Sequence, residues 1–165
     1  MFLESLQQWV SDYGTSVIFI VLYFESLGAP LPGETLLITG SILASTGHLN
    51  VITLIIFSYI AVVVGDCTGY FIGKATGKKL LLRYGHLVKL TPERLEKFEN
   101  AMRKHGFYFV ATARFIPVAR QLNGVIAGAS NMPFYKFLIA NATGAIVWIG
   151  CWGLGPYFLK HLFVN

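Results

Sequence analysis

The stretch VIFIVLYFESLGAPLPGETLLITGSILASTG, residues 17–47, is apolar enough to enter a bilayer but is interrupted at its middle by Glu25, Gly28, Pro30, Pro32, Gly33 and Glu34. The pieces on either side, 17–27 and 34–46, each hold roughly 11–13 residues, whereas a helix that crosses a membrane needs about 20. Two half-helices around a Pro/Gly break predict a re-entrant hairpin that enters the membrane and returns to the same side, with Pro30, Pro32 and Gly33 at the break. Backbone that leaves helical geometry at such depth must be buried in protein or line a wet cavity.

Outward from this stretch, the chain reads as two similar halves. Residues 2–13 place Phe2, Leu3, Leu6, Trp9, Val10 and Tyr13 on one helical face, as in a helix lying on the membrane surface. Residues 51–73 form the first full span, about 34 Å long at helical rise. Gly65, Gly69, Gly73 and Gly77 recur along its end at four-residue spacing, a stripe that reads first as close helix packing. Residues 74–106 are polar and basic. Within them Thr91 suits an N-cap, Pro92 the first helical position, and Gly106 the stop of a second amphipathic helix.

Residues 107–131 repeat the opening pattern. An apolar, aromatic start is interrupted by Arg114, Pro117, Arg120, Gln121, Asn123 and Gly124, which predicts a second re-entrant hairpin with breaks at Pro117 and Gly124. Residues 134–160 supply the second full span. Each half therefore carries a surface helix, a broken hairpin and one crossing, so the second copy must sit inverted. The expected fold class is an all-α membrane protein built as an inverted repeat in a single domain, 1–165. Inverted repeats with broken helices meeting at the midplane are a transporter signature.

Composition agrees with membrane residence. The chain has 165 residues, 55% of them hydrophobic and only 13% charged, against about 25% charged in soluble domains. This excludes a disordered chain and a nucleic-acid-binding arm. Residues 1–73 hold five acids and no Lys or Arg, while 74–165 hold all 13 basic residues and three acids. Nine of the cations fall between Lys74 and Lys104, which marks the 74–105 segment as cytoplasmic and places both termini outside. The same loop can touch anionic headgroups. The N-terminus lacks the basic start of a secretory signal. Cys67 and Cys151, both in apolar runs, read as buried small hydrophobes, and the four histidines lack metal-ligand spacing, so no cofactor or metal is expected.

Chemistry concentrates in the few charges left inside apolar runs. The first hairpin brings Glu25 and Glu34, and the second brings Arg114 and Arg120. Each costs about 2.5–3.5 kcal/mol at a helix centre. Hairpins meeting tip to tip would join two carboxylates and two guanidiniums. Two readings stand. The charges form salt bridges that lock the hairpins together, or the arginines hold a phosphate bidentately while a carboxylate takes up a proton. Asp66 either serves the same proton route or pairs with a cation of the basic loop. Asn141 reads as an interhelical hydrogen-bonding residue. No P-loop, HExxH or Gly-x-Ser-x-Gly pattern is present, so an enzyme is not expected.

The motifs FESLGAPLPGETLLITG (Phe24–Gly40), GDCTGYFIGKATG (Gly65–Gly77), HGFYFVATARFIPVARQLNGVIAGASNMPFYKF (His105–Phe137) and NATGAIVW (Asn141–Trp148) together resemble the DedA family of bacterial membrane proteins. The resemblance implies two re-entrant hairpins, a fold shared with the VTT-domain lipid scramblases of eukaryotes, and residence in the bacterial inner membrane. It implies lipid translocation, most prominently of undecaprenyl phosphate, with membrane lipids, polyprenyl phosphate and protons as partners. Other members are linked to phosphatidylethanolamine movement and to proton-dependent drug tolerance. The family's acidic positions match Glu25 and Glu34, and its paired arginines match Arg114 and Arg120. Many members carry a further C-terminal span, whereas this sequence ends at Asn165, which would favour a homodimer. A proton-coupled cation antiporter and a structural membrane partner stay open as alternatives.

Overall fold

A computed structural model describes residues 13–163, and these form helices joined by short turns, with no strand among the described residues. The surface helix expected over 2–13 lies outside the described residues apart from Tyr13. Helix α1 (Thr15–Leu27) ends at Gly28, whose φ of +123° lets the chain turn where a side chain would be strained. The two prolines follow, and α2 (Gly33–Ser45) starts directly after Pro32. At 13 residues each, these helices are about 20 Å long.

Helix α3 (Val51–Thr76) is the long central element. Asn50 caps it, its side-chain oxygen accepting from the backbone N–H of Ile52 and Thr53 at 2.9 and 3.1 Å. Gly77, with φ +61°, closes its other end. A short α4 (Lys78–Tyr84) and a 3₁₀ turn (Gly85–Val88) lead to α5 (Pro92–Thr112). Thr91 caps α5 by accepting from the Arg94 N–H. The expected stop at Gly106 is absent. The chain leaves helical geometry only at His105 (φ −140°, ψ 43°) and then continues in a helix to Thr112. Gly106 lies beside the Met102 and Met132 sulfurs, at a distance where a side-chain carbon would make ordinary contact.

The second break is a 3₁₀ turn, Ala113–Phe115, followed by extended Ile116, after which Pro117 starts α6 (Pro117–Ala129). Gly124, expected at the break, lies inside α6. Helix α7 (Phe134–Ile149) continues through a π-helical turn (Gly150–Leu154) into α8 (Gly155–Phe163). Val51–Thr76 and Phe134–Leu159, 26 residues each, are long and apolar enough to cross a membrane.

Helix α3 is the axis of the molecule, with α1 and α6 against it and α7 antiparallel to it. Tyr70 near one end of α3 stacks on Phe137 at 4.9 Å, while Leu54, Ala61 and Val62 near the other share a core with Ala145 and Trp148. The glycine stripe makes this packing possible. Gly65 faces the Tyr23 backbone of α1, while Gly69 and Gly73 face Val125 of α6. From the opposite side, Gly124 and Gly128 of α6 face the backbones of Asp66 and Tyr70. Gly77 is not part of this contact, since nothing lies near it.

Gly124→Val would place Cβ against the Asp66 carbonyl, where the obstacle is backbone. The expected cost is about 3 kcal/mol or more, because neither helix can move without losing the seam. Gly150→Ala, in open space, is expected to leave the thermal midpoint in detergent unchanged.

Much of the exterior is apolar. Ile52 (66% exposed), Ile56, Phe57, Ile60, Val64 and Phe71 cover the outward side of α3, and Ile139, Ile146 and Val147 cover that of α7. A surface of this kind suits lipid as solvent, because in water it would be an association-prone patch.

Candidate functional site

Both breaks deliver charge to the α3 axis, but they build two ion clusters rather than one. In the first, Arg120, one turn into α6, reaches both glutamates of the first helix pair. Its Nη2 donates to Glu25 Oε1 at 3.0 Å and its Nη1 to Glu34 Oε2 at 2.6 Å. Glu25 comes from the last turn of α1 and Glu34 from the first turn of α2, so the arginine closes the break like a clasp. Gly33 packs directly on the Glu25 carboxylate, with no room for a Cβ. The end of α1 meets α6 here as well, with Gly28 against the Gln121 carbonyl and Leu122. The Arg120 Cζ lies 5.3 Å from the ring centroid of Trp148, a buried residue of α7. That ring supplies a cation–π contact to the guanidinium.

The second cluster centres on Arg114 of the 3₁₀ turn. Its Nη2 pairs with Asp66 Oδ2 of α3 and donates to Asn141 Oδ1 of α7 at 2.5 Å. Arg114 therefore does not join Arg120 at the glutamates. Asp66 is its partner, and among the described residues no cation of the basic loop pairs with that acid. Nearby, Asn123 of α6 donates to the Val110 carbonyl at 3.2 Å, tying the two arms of the second helix pair.

Exposure separates the two clusters in kind. The Arg114 and Asp66 side chains are each 1% exposed, whereas Arg120 is 12% and Glu34 37% exposed. The Arg114–Asp66 pair is sealed inside the helix packing, while the Arg120 cluster opens to the surface through Glu34. A planar guanidinium between two carboxylates has the geometry to exchange one of them for a phosphate, which presents the same paired oxygens. Several buried polar atoms here make no hydrogen bond within the protein, among them Arg120 Nε, Trp148 Nε1 and Asp66 Oδ1.

Pro30, Pro32 and Pro117 all lie at or beside the breaks, and Gly33 opens α2. The Trp148 contact is the residue the sequence reading missed, having placed that tryptophan only along the last span. Asn141 does make the interhelical bond expected of a polar side chain in an apolar helix. Among the described residues no three His, Cys, Asp or Glu side chains are grouped to hold a metal. Cys67 is half-buried and Cys151 exposed, so the expectation of two buried thiols fails for Cys151, which sits in the π-helical turn on the outer surface.

Comparison with known proteins follows the same lines. The VTT domain matches residues 31–155. A Synechocystis protein described as uncharacterized membrane protein slr0232 is 34% identical over 97% of this chain and 73% of its own length. Protein DedA of Escherichia coli K12 is 32% identical over 93% of this chain and 73% of its own length. The Bacillus subtilis membrane protein YbfM is 30% identical over 88% of this chain and 90% of its own length. No solved structure matches. The match across both breaks and both spans, together with the apolar exterior, establishes that the chain is a membrane protein of the VTT-domain (DedA) family.

Proposed function

We propose that this protein moves the headgroup of a phosphate-bearing lipid, undecaprenyl phosphate, between the leaflets of the bacterial inner membrane, coupled to protons. In this reading the two helix–break–helix units, Thr15–Ser45 and the one divided at Ala113–Ile116, are re-entrant hairpins of an inverted repeat. The basic 74–105 segment lies in the cytoplasm. The observation that carries the reading is Arg120, held between Glu25 and Glu34 in a cluster that opens to the surface. The phosphate takes the place of a carboxylate on the guanidinium, and the displaced glutamate binds a proton, so phosphate and glutamate occupy one cation in turn and each exchange is tied to a proton. Arg114 and Asp66 hold the second break in place so that Arg120 points at the glutamates. The isoprenoid tail stays in the bilayer, so only the headgroup needs a polar path.

Reconstitution tests this. In liposomes loaded with polyprenyl phosphate on the inner leaflet, the protein is expected to bring the phosphate to an external phosphatase, at a rate that responds to an imposed pH gradient. Headgroup exposure no faster than in protein-free liposomes, with and without the gradient, would refute the proposal.

A further inference from the structure

At the basic end of the molecule a cavity of about 370 Å³ lies between the middle of α5 and the start of α7. Its walls are of two kinds. Met102, Phe107, Met132 and Pro133 give it apolar sides, while Arg103 and Lys136 bring positive charge. The place is the polar border of the apolar belt, since α7 starts beside the end of α3 that leads into Lys74 and Lys78. Phe134 packs on Phe71 at 5.1 Å there, and the Tyr70 hydroxyl donates to the Met132 carbonyl.

Positive charge outweighs negative charge here, with Glu99 taken up by Lys78 and Lys136 lying 6.0 Å from the Tyr135 ring centroid. Helix α7 begins at Pro133 with no side-chain cap and no acidic residue in its first turn. Its free N–H groups and the positive end of its dipole therefore meet Lys136, a cation in the turn where an anion is favoured. Among the described residues, Arg103 bonds to the neutral Asn100 side chain. Lys78, on the far side of Arg103, is already engaged by Glu99 at 2.6 Å. Among the described residues no carboxylate pairs with either Arg103 or Lys136. Two cations, a set of free helix amides and an apolar wall thus converge on one concave place at the level of the headgroups. That combination suits a ligand with a negative head and a hydrocarbon body.

We infer that this cavity is a binding site for the headgroup of an anionic phospholipid, held as a resident lipid rather than as cargo. It shares no residue with the Arg120 cluster. The phosphate would sit between Arg103, Lys136 and the first amides of α7, and the start of the acyl chain would lie along Met102, Phe107 and Met132. Recognition of this kind by basic pockets between membrane helices follows from ordinary headgroup electrostatics.

The test is lipid retention by the purified full chain in mild detergent, read by native mass spectrometry with phosphatidylglycerol and phosphatidylcholine of matched chains. Wild type is expected to retain phosphatidylglycerol in preference. Arg103→Gln with Lys136→Gln should weaken retention about 30-fold, at about the value of one headgroup contact for each cation. Lys79→Gln with Arg83→Gln removes the same charge from α4 and should change it by less than about threefold, because separated exposed charges are screened. Gly106→Leu, which keeps both cations and fills the cavity, should also abolish the preference. Equal loss in the two double variants would mean a diffuse basic face and overturn the inference. So would unchanged retention in Arg103→Gln with Lys136→Gln, or displacement of the lipid by equimolar inorganic phosphate.

Discussion

Arg114→Ala is expected to cost about 3–5 kcal/mol of stability, the penalty for stranding one member of a buried ion pair. The Asp66 carboxylate would be left with no exposed surface and no cation, at the seam where α3 packs on α6. The Asn141 oxygen on α7 would lose its donor at the same time. Because these three groups tie the 3₁₀ break to both long helices, the loss should appear as a lower thermal midpoint in detergent and poor accumulation in the membrane. Asp66→Asn combined with Arg114→Gln removes both charges together and should recover much of the deficit, since no charge remains stranded. An Arg114→Ala protein as stable as wild type would show that the pair does not hold the break.

Arg120→Lys should act on the other axis, lowering lipid movement about a hundredfold while leaving the fold intact. Truncating one member of a buried, hydrogen-bonded charge pair is worth about 2–5 kcal/mol in an interface, and a hundredfold loss lies in that range. Lysine keeps the charge but offers a point donor in place of a planar fork, so it cannot hold Glu25 and Glu34 together or present two donors to one phosphate. The partly exposed Glu34 can turn to solvent when the clasp is lost, which is why the stability cost is expected to be small. Wild-type transport in Arg120→Lys would reduce the residue to a counter-ion.

The breaks were legible because proline and glycine act locally. Pro30, Pro32 and Gly33 interrupt an apolar run in any context, and the structure turns at Gly28–Pro32. The two spans were legible for the same reason, since an unbroken apolar run of helix length is a local signal. Gly124 misled because glycine serves two ends. In a sequence it reads as a breaker, but here it sits inside a helix so that the Asp66 backbone can approach.

Charge pairing was legible only as an inventory. Two glutamates and two arginines in apolar runs had to meet something, but which acid met which base depends on the rotation of α6 about α3. A rotation of that kind leaves no mark on hydrophobic pattern alone. Six residues separate Arg114 in the 3₁₀ turn from Arg120 in α6, and the extended Ile116 between them sends one to Asp66 and the other to Glu25 and Glu34. The face of Trp148 was invisible for the same reason, as its ring reaches Arg120 only through the antiparallel packing of α7 on α3.

The central claim is that Arg120 receives the phosphate of the lipid, and binding measures it most directly. A short-chain polyprenyl phosphate titrated into the detergent-solubilised protein should bind, while the matching polyprenyl alcohol should bind at least about tenfold more weakly. Arg120→Lys should remove that difference. Equal binding of phosphate and alcohol by wild type, or an undiminished preference for phosphate in Arg120→Lys, would contradict the account.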